Sequence, residues 1–594
     1  MKMTLSKTLA AYILAAICTE SAIAGYCTPY DIVTVDEGET ASIAAEEISF
    51  GAYAPLAKDG EGTLQILQGG TTGAPLYVRE GNIEIKGSEE SPVTLYLGGT
   101  QSNSYTNDDD EVVTTVAGNI GGYTPLNIAG NNASVVIDNA TVINKRIGSN
   151  SAIVVGGVDG SGSLIIQGGG YLNNSRKEEA YGSSLFVGYS GYQNVTEVGN
   201  LGWSNGHAST QEANSALSIA NRYVGSYTEN GFGKGEVIVT DKSKLETAFA
   251  LYMCEGSFKV DGESSVIIGT EGDGNRSGGA LAYQENSNSK LEILGKSSFT
   301  YANGGTSGNN YPIQFADTKN NTSVTINIIG ESCLNAVGNR GTVGDTSYSV
   351  RMATNDEIAS SVDITVRGGS SLNIGETLMG SQNGNGKVSV TIDDSSSYKG
   401  NELVMQKGAT IDNAGTITMD TIVMNGGKLI LIEGATVEGS ILTVKAGAEL
   451  AAGRELDVAE VSSLGLSTVA TGGLPVVANL DTKLVLENNA VLTLNGGVID
   501  MNGKDLSIAS DVEISFLNYE SATDENGYIT IFKNVGRVNE GISEVEMIVN
   551  GIAVTADVNE NGNVSIHSSS IPEPTTATMS LIALAALAAR RRRK

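Results

Sequence analysis

Few residues of this chain could support hydrolytic chemistry: an acidic pair, Asp393-Asp394, and two histidines, His207 and His567. A glycosidase needs two carboxyl groups that face each other across the bond to be cleaved. Asp393 and Asp394 instead fall on a corner of a repeated pattern, so we interpret them as turn residues. The sequence contains no recognisable Ser/His/Asp set, glycine-rich phosphate loop or His-Glu-x-x-His zinc motif. We therefore predict no catalytic residues, no cofactor and no metal site, with a polysaccharide-active enzyme whose site is unrecognised as the alternative.

Acidic and asparagine-rich runs at 108–111, 524–526 and 559–561 could supply oxygen ligands to calcium. A calcium site requires about six to eight oxygen atoms to converge on one point. We interpret the runs as solvated loops, and calcium binding is the minor alternative.

Aromatic residues offer a second kind of chemistry, which is binding by ring stacking. They are concentrated in residues 181–232, together with the single tryptophan of the chain. Aromatic side chains on Gly-, Asn- and Ser-rich loops give a large contact area at small entropic cost. They could form a platform for sugar rings or a partner protein, or they could pack against the body of the fold. The residues proposed for such a platform are Tyr189, Tyr192, Trp203, Tyr223 and Tyr227.

The composition indicates a β-rich framework beneath these residues. Of 594 residues, 75 are glycine and only 9 are proline, and Val, Ile, Ser, Thr and Asn are frequent. Such a composition is typical of short strands joined by many turns. The net charge of −31 repels nucleic acid, so we expect no nucleic-acid partner.

One short pattern recurs along the chain: apolar, any, apolar, any, Gly or Asp, any, a small residue, any, apolar. Alternating apolar residues predict a strand with one buried face, and Gly or Asp suits a tight corner. The copies are often roughly 20–40 residues apart, a period typical of solenoids. They lie at residues 164–172, 237–245, 258–266, 291–299, 326–334, 364–372, 390–398 and, more loosely, 429–437.

These features predict an all-β fold, a right-handed parallel β-helix over residues 61–504. Coils of such a fold stack about 4.8 Å apart, each strand hydrogen-bonded to the coils on either side. We expect an N-terminal cap at residues 25–60. Residues 505–570 contain longer strands and Asn-Gly turns, which predict a small antiparallel C-terminal cap protecting the last coil. The alternative is a string of β-sandwich domains, but the sequence shows no Pro-rich linker between them.

Residues 1–24 have the three parts of a secretory signal peptide. Two lysines precede a short apolar run at residues 9–18, and small residues follow at positions 22 and 24. We expect signal peptidase to cleave between Ala24 and Gly25, so that the mature protein is exported.

Residues 571–594 combine a rigid tripeptide, an apolar segment and a basic cluster. The tripeptide is Pro572, Glu573, Pro574, and the cluster is Arg590, Arg591, Arg592, Arg593 and Lys594. As a helix, the apolar residues 575–589 would span about 22 Å, short of the hydrocarbon core of about 30 Å. We expect this helix to hold the protein in the membrane only transiently, with the basic cluster in the cytoplasm.

This end resembles the PEP-CTERM sorting signal of Gram-negative bacteria, in which the same three parts occur in the same order. The resemblance implies that an exosortase processes the tail near the Pro-Glu-Pro tripeptide. It also implies delivery to the cell surface or the extracellular matrix. An ordinary tail anchor is the alternative.

The repeat body resembles the passenger β-helices of autotransporters, in pattern only. The sequence departs from them because no C-terminal translocator barrel follows the repeats, so we expect the sorting tail to provide the export route.

Three cysteines, Cys27, Cys254 and Cys333, remain after removal of the signal. An odd number leaves at least one thiol unpaired or paired between chains. We interpret Cys254 and Cys333 as small buried residues, and a disulfide between them is the alternative.

We therefore expect a non-enzymatic surface protein, an adhesin or a structural component of the extracellular matrix. Its expected partners are glycans or other surface proteins. Besides the enzyme already named, a structural spacer without a specific ligand is the other alternative.

Overall fold

The fold is described by a computed structural model that covers residues 31–571 with internal gaps. The residues left out are 1–30, 46–55, 73–75, 89, 98–101, 107–111, 117–125, 145–151, 157–160, 176–183, 189–232, 249, 270–278, 284, 303–311, 337–347, 433, 453–475, 496–497, 518–522, 540 and 572–594. The predicted signal peptide and anchor helix therefore lie outside the described residues. The described chain divides after Val350 into two compact units, which are treated separately below.

The first unit consists of short strands. In chain order they are β1 (Asp31–Thr34), β2 (Thr40–Ile43), β3 (Leu56–Asp59), β4 (Thr63–Ile66), β5 (Gly70–Thr71), β6 (Leu76–Lys86), β7 (Val93–Leu97), β8 (Ser102–Thr106), β9 (Val112–Val116), β10 (Leu126–Asp138), β11 (Ala140–Asn144), β12 (Ala152–Val155), β13 (Ser161–Gln167), β14 (Tyr171–Asn174), β15 (Ser184–Val187), β16 (Lys234–Val239), β17 (Lys244–Thr247), β18 (Leu251–Met253), β19 (Gly256–Val260), β20 (Ser265–Ile268), β21 (Gly279–Leu281), β22 (Asn288–Leu294), β23 (Ser298–Tyr301), β24 (Ile313–Phe315), β25 (Thr322–Ile329), β26 (Cys333–Ala336) and, at the boundary, β27 (Val350–Met352).

The second unit continues with strands of similar length and ends in a 3-10 turn, Ser568–Ser570. Its strands are β28 (Ser360–Arg367), β29 (Ser371–Ile374), β30 (Glu376–Met379), β31 (Gly386–Ile392), β32 (Ser397–Met405), β33 (Ala409–Asn413), β34 (Thr416–Met424), β35 (Lys428–Leu431), β36 (Thr436–Val444), β37 (Glu449–Ala452), β38 (Val476–Leu486), β39 (Val491–Asn495), β40 (Ile499–Asp500), β41 (Asp505–Ile508), β42 (Glu513–Leu517), β43 (Tyr528–Lys533), β44 (Glu544–Val549), β45 (Ile552–Val558) and β46 (Val564–His567).

In the first unit, parallel pairing arranges the strands in three columns, and the long strands β6 and β10 each supply the third column through their first half and the first column through their second half. The first column runs β2-β4-β6-β10-β13-β16-β19-β22-β25. The second runs β5-β7-β11-β14-β17-β20-β23-β26. The third runs β1-β3-β6-β10-β12-β15-β18-β21-β24. An antiparallel hairpin of β8 and β9 is inserted between β7 and β10.

The second unit has the same three-column plan, but single long strands often supply the second and third columns together. The first column is β28-β31-β33-β35-β37-β39-β42-β44. Each of β32, β34, β36 and β38 pairs in the second column through its first half and in the third through its second half. The predicted parallel β-helix is confirmed, and the alternative of a string of β-sandwich domains is wrong.

The antiparallel C-terminal cap is also confirmed, and it consists of the last strands only. Strand β45 pairs antiparallel with β44 and β46, and β46 pairs antiparallel with β43. The β44–β45 hairpin turns at Asn550-Gly551, whose φ values of 48° and 83° fit the type I′ turn that an Asn-Gly pair favours. Strands β41 and β42, at 505–508 and 513–517, still extend the parallel columns.

The core is a stack of inward-facing apolar side chains, one layer from each coil. Leu291 and Ile293 of β22 lie in register with Ile326 and Ile328 of β25, and all four have no solvent exposure. Burying one such side chain contributes about 1.5–3 kcal/mol. Because the register repeats from coil to coil, apolar residues far apart in sequence form continuous columns.

The corner between the first and second columns is a type I′ turn on several coils, since both central residues have positive φ. The pairs are Gly168-Gly169, Asp241-Lys242, Gly262-Glu263, Gly295-Lys296, Gly330-Glu331 and Gly368-Gly369. The amide of Lys296 donates to the Gly330 carbonyl oxygen of the next coil, 2.8 Å away. Coil-to-coil hydrogen bonding therefore continues through the corner. The second position carries Lys and Glu alternately on four coils, and it forms Lys242–Glu263 and Lys296–Glu331 ion pairs at 3.5 and 3.3 Å.

A column of buried serines lies directly behind this corner, at the small-residue position of the repeat. Four of the hydroxyl oxygens accept a hydrogen bond from the serine amide of the preceding coil. The pairs are Ser243 N to Ser264 Oγ (3.1 Å), Ser264 N to Ser297 Oγ (3.1 Å), Ser297 N to Ser332 Oγ (3.2 Å) and, in the second unit, Ser370 N to Ser396 Oγ (3.2 Å). On these coils the position is small and also supplies an acceptor to the preceding coil, whereas the Gly168-Gly169 corner is followed by Gly170, which has no side-chain acceptor.

Lys58 stands out among the inward-facing residues of the described ranges, because its ionisable side chain is fully buried. Its Nζ donates to the carbonyl oxygens of Asp59 (3.1 Å), Glu80 (2.9 Å) and Gly60. Burial lowers the pKa of the Lys58 ammonium, and the nearby Asp59 and Glu80 carboxylates partly oppose this effect. Three carbonyl oxygens thus replace part of the water that the buried ammonium has lost.

Replacing Ser297 with alanine is expected to leave the buried Ser264 amide without its acceptor, at a cost of about 1–3 kcal/mol. Hydrogen exchange resolved at the Ser264 amide should show correspondingly faster exchange than in the wild type. Ser298→Ala is the matched control, because the Ser298 side chain alternates to the outer face. Equal protection of the Ser264 amide in the two variants would contradict the role of the serine column.

Candidate functional site

The described chain ends in a compact closure at residues 564–571. Strand β46 leads into the 3-10 turn, and Ile571 follows with only 5 % of its side chain exposed. The Ile571 amide donates to the Ser568 carbonyl oxygen (3.1 Å), and the Ser568 amide donates to that of Gly527 (2.7 Å). The fold therefore holds the backbone in place up to the residue before Pro572.

His567 fixes the side chains around this closure. Its ring lies edge-on to Tyr528, with the ring centres 5.1 Å apart. Nδ1 lies 2.6 Å from the Ser569 hydroxyl oxygen and accepts a hydrogen bond from the Ser569 amide at 3.3 Å. This histidine, one of the two considered for hydrolytic chemistry in the sequence, acts in the described structure as the N-terminal cap of the last turn.

Residues 570–594 match the family model of the PEP-CTERM protein-sorting motif. The match begins inside the folded cap, because Ser570 and Ile571 belong to the closure. The rest, including Pro572, Glu573, Pro574 and the basic cluster at 590–594, lies outside the described residues. No curated protein matches the chain.

The PEP-CTERM motif marks the chain as an exported bacterial protein that is sorted to the cell surface by exosortase. Among the described residues, no helix is both long and apolar enough to cross a membrane. The predicted cleavage site at Ala24 and Gly25 and the predicted anchor helix at 575–589 fall outside those residues. Both remain predictions.

The proposed aromatic platform also falls outside the described residues, since Tyr189, Tyr192, Trp203, Tyr223 and Tyr227 all lie within 189–232. A neighbouring aromatic, Phe186, is described on β15 and is only 7 % exposed. It stacks on Tyr252 of the next coil, with ring centres 5.1 Å apart and planes 20° apart. Tyr252 in turn contacts Tyr283, with ring centres 5.2 Å apart.

We call Phe186, Tyr252 and Tyr283 the aromatic column. The sequence did not single out Tyr252 and Tyr283, because they lie far from Phe186 along the chain. Phe186 and Tyr252 are brought together by the register of the third column, in which they occupy the same position on successive coils. Both tyrosines are partly exposed, so the aromatic column combines packing with an accessible edge.

A polar cluster lies on the outer face of the second column. Lys244 Nζ is 2.7 Å from Glu246 Oε1, and the Tyr171 hydroxyl donates to Glu246 Oε2. The Lys244 ammonium also lies 5.2 Å from the centre of the Tyr171 ring. Glu246 is only 4 % exposed, and a buried carboxylate needs partners that compensate its charge. Lys244 and Tyr171 are those partners.

Asp393 and Asp394 lie on a corner after β31, as the turn interpretation predicts. Asp393 Oδ2 accepts from the Gly368 amide of the preceding coil (2.7 Å), and Oδ1 accepts from the amide and hydroxyl of Ser395 (3.2 and 3.0 Å). Partial burial raises the pKa of the Asp393 carboxyl, but hydrogen bonds from Ser396, Gly368 and Ser395 outweigh it and leave the pKa below its usual value. The Asp393 carboxylate is thus tied to its own corner and to the coil below.

The two described acidic runs are also tied into turns. Asp524 Oδ1 accepts from the amides of Asn526 and Tyr528, at 2.9 and 2.8 Å. Asn559 Oδ1 accepts from the amides of Asn561 and Asn563, at 3.0 and 2.9 Å. Within the described part of the chain, no three His, Cys, Asp or Glu side chains are placed to hold a metal ion. The run at 108–111 and His207 lie outside that part.

Cys254 and Cys333 are both free thiols, so the alternative of a disulfide between them is wrong. Cys254 directly follows β18, is fully buried and packs against Phe186, whereas Cys333 on β26 is only partly buried. Burial raises the pKa of the Cys254 thiol, and the adjacent Glu255 carboxylate adds to the rise. Cys27 lies outside the described residues.

Replacing Asp393 with asparagine is expected to lower the melting temperature near pH 7 and to have less effect near pH 3. Because its folded pKa is depressed, the carboxylate stabilises the fold above its ordinary pKa of about 3.9, and this contribution is lost as the pH falls through the folded value. Thermal unfolding across this pH range would measure the difference. Asp394→Asn, at an exposed neighbouring position, is the control. A difference in melting temperature between Asp393→Asn and the wild type that does not change with pH would contradict the depressed pKa of Asp393.

Proposed function

We propose that the chain is a non-enzymatic, surface-sorted β-helical protein that serves as an adhesin or a structural component of the extracellular matrix. The observation that carries this proposal is the position of the sorting motif. The match begins in the last turn of the folded body, so the motif is joined to the β-helix without an intervening linker. Sorting of the motif would therefore display the β-helix itself.

The build of the β-helix supports a display role. Backbone hydrogen bonds run from coil to coil, and the corners extend them through the serine column and the type I′ turns. Such a repeat presents long lateral faces, because each coil contacts only its neighbours and loops can leave at the corners. The described polar clusters are paired within the fold, which favours a structural role for them.

The finer proposal is that lateral aromatic side chains bind glycans. The aromatic column supports it, since Phe186 stacks on Tyr252, Tyr283 lies tilted against Tyr252, and the two partly exposed tyrosines offer apolar ring surface to sugar rings. The platform residues Tyr189, Tyr192, Trp203, Tyr223 and Tyr227 follow β15, so they continue the stretch of the chain that carries Phe186.

Replacing Pro572, Glu573 and Pro574 together with alanine is expected to block sorting. The variant should accumulate as an unprocessed, cell-associated chain, and the β-helix should lose accessibility to protease added outside intact cells. Pro92→Ala, at an exposed proline before β7, is the matched control and should behave as the wild type. Normal processing and surface exposure of the triple variant would contradict the sorting proposal.

Glycan-array binding of the purified mature protein tests the finer proposal. We expect saturable binding that falls about tenfold in Tyr252→Ala/Tyr283→Ala, in Trp203→Ala/Tyr189→Ala/Tyr192→Ala, or in both. Tyr96→Ala, on the outer face of β7, is the control. Absence of binding by the intact protein would favour a spacer without ligand, and cleavage of the arrayed glycans would favour the enzyme.

A further inference from the structure

We propose that the outer surface of the C-terminal cap is the surface that contacts the exosortase acting on the sorting motif. This cap surface consists of the turn at 524–526 together with His567, Ser569 and Ser570. The inference rests on the proposed function, because it requires that the motif is processed.

Chain length brings the processing enzyme to the cap. Ile571 is buried and hydrogen-bonded in the closure, and Pro574 ends the tripeptide three residues later. Three residues span about 10 Å even when fully extended. An enzyme that acts at the tripeptide must therefore come within about 10 Å of Ile571. This distance is less than the width of a small domain. Contact between the enzyme and the folded cap follows from this distance.

The cap surface is ordered before any partner arrives. The His567 ring is held between Tyr528 and Ser569, and a Cβ at Gly527 would lie only 3.1 Å from His567 Nε2. The Asp524 carboxylate fixes the adjoining turn through two backbone amides. His567, Ser569 and Ser570 are nevertheless exposed. A fixed surface of this kind loses little entropy on binding, which favours association.

The charge of the cap surface favours a protein partner over the lipid surface. Asp524 and Glu525 are exposed side by side on the turn at 524–526. Anionic headgroups would repel these carboxylates, whereas a protein surface can offer hydrogen-bond donors or basic side chains to them. The partner is thus expected to present donor groups next to its active site.

Pulse–chase processing of the full chain in its native host tests the proposal with two variants. The first reverses one charge of the cap surface, Glu525→Lys. The second inserts ten Gly and Ser residues between Ile571 and Pro572, a spacer with an end-to-end distance of about 16–19 Å. We expect both to slow conversion to the processed form about three- to tenfold, because each weakens the contact without changing the motif. Glu487→Lys, a charge reversal at another exposed glutamate on an earlier coil, should leave the rate unchanged.

Processing of Glu525→Lys and of the spacer variant at the wild-type rate, or faster, would overturn the contact proposal. Unchanged melting temperature of the purified Glu525→Lys protein verifies that its cap is folded. The alanine variant of Pro572, Glu573 and Pro574 separates the two claims. If the alanine variant is processed normally, the sorting proposal itself fails. If the alanine variant is blocked while Glu525→Lys and the spacer variant are processed at the wild-type rate, the contact proposal alone fails.

Discussion

Coil-to-coil hydrogen bonding in constant register is the constraint on which the rest of each unit depends. A parallel strand cannot satisfy its backbone within its own coil, so every coil needs a neighbour on each side whose strands start and end at equivalent positions. Constant register places apolar residues from successive coils over one another, as in Leu291 over Ile326. It also stacks whatever lies at the corners. The serine column, the alternating Lys and Glu side chains and the aromatic column are all consequences of the same repeat.

The same constraint explains the end of the described chain. The last coil exposes strand edges that could pair with other chains, and the antiparallel strands β45 and β46 cover them. Closing the edge requires the chain to reverse direction and finish against β43, and it does so at His567 and Ile571. The sorting motif follows at once. The structural cap and the cellular address are therefore contiguous, which links the way the fold is terminated to the way the protein is displayed.

The strands of the first and second columns could be predicted from the sequence, because alternation of apolar residues and the Gly or Asp corner recur in each copy. The third column was harder, since strands such as Leu251–Met253 are too short to show a period. Lys296 and Glu331 could not be recognised as left-handed corner residues, because their types do not favour positive φ and only the stacked turn requires it. The burial of Lys58 depends on three backbone oxygens that converge only in the fold. At the candidate site, the motif was readable from local sequence, whereas the contacts of Tyr252 and Tyr283 depend on register across coils.

Site-directed cross-linking between successive coils tests the central claim of constant register most directly. Lys290 and Thr325 are exposed partners on β22 and β25, and adjacent strands lie about 4.8 Å apart, within the range that a disulfide can bridge. The Lys290→Cys/Thr325→Cys variant should form this disulfide under mild oxidation, as identified by peptide mapping without reduction. Lys290→Cys/Asn327→Cys, displaced by two residues to about 8 Å, should not. Cross-linking of the displaced pair in preference to the aligned pair would contradict the account.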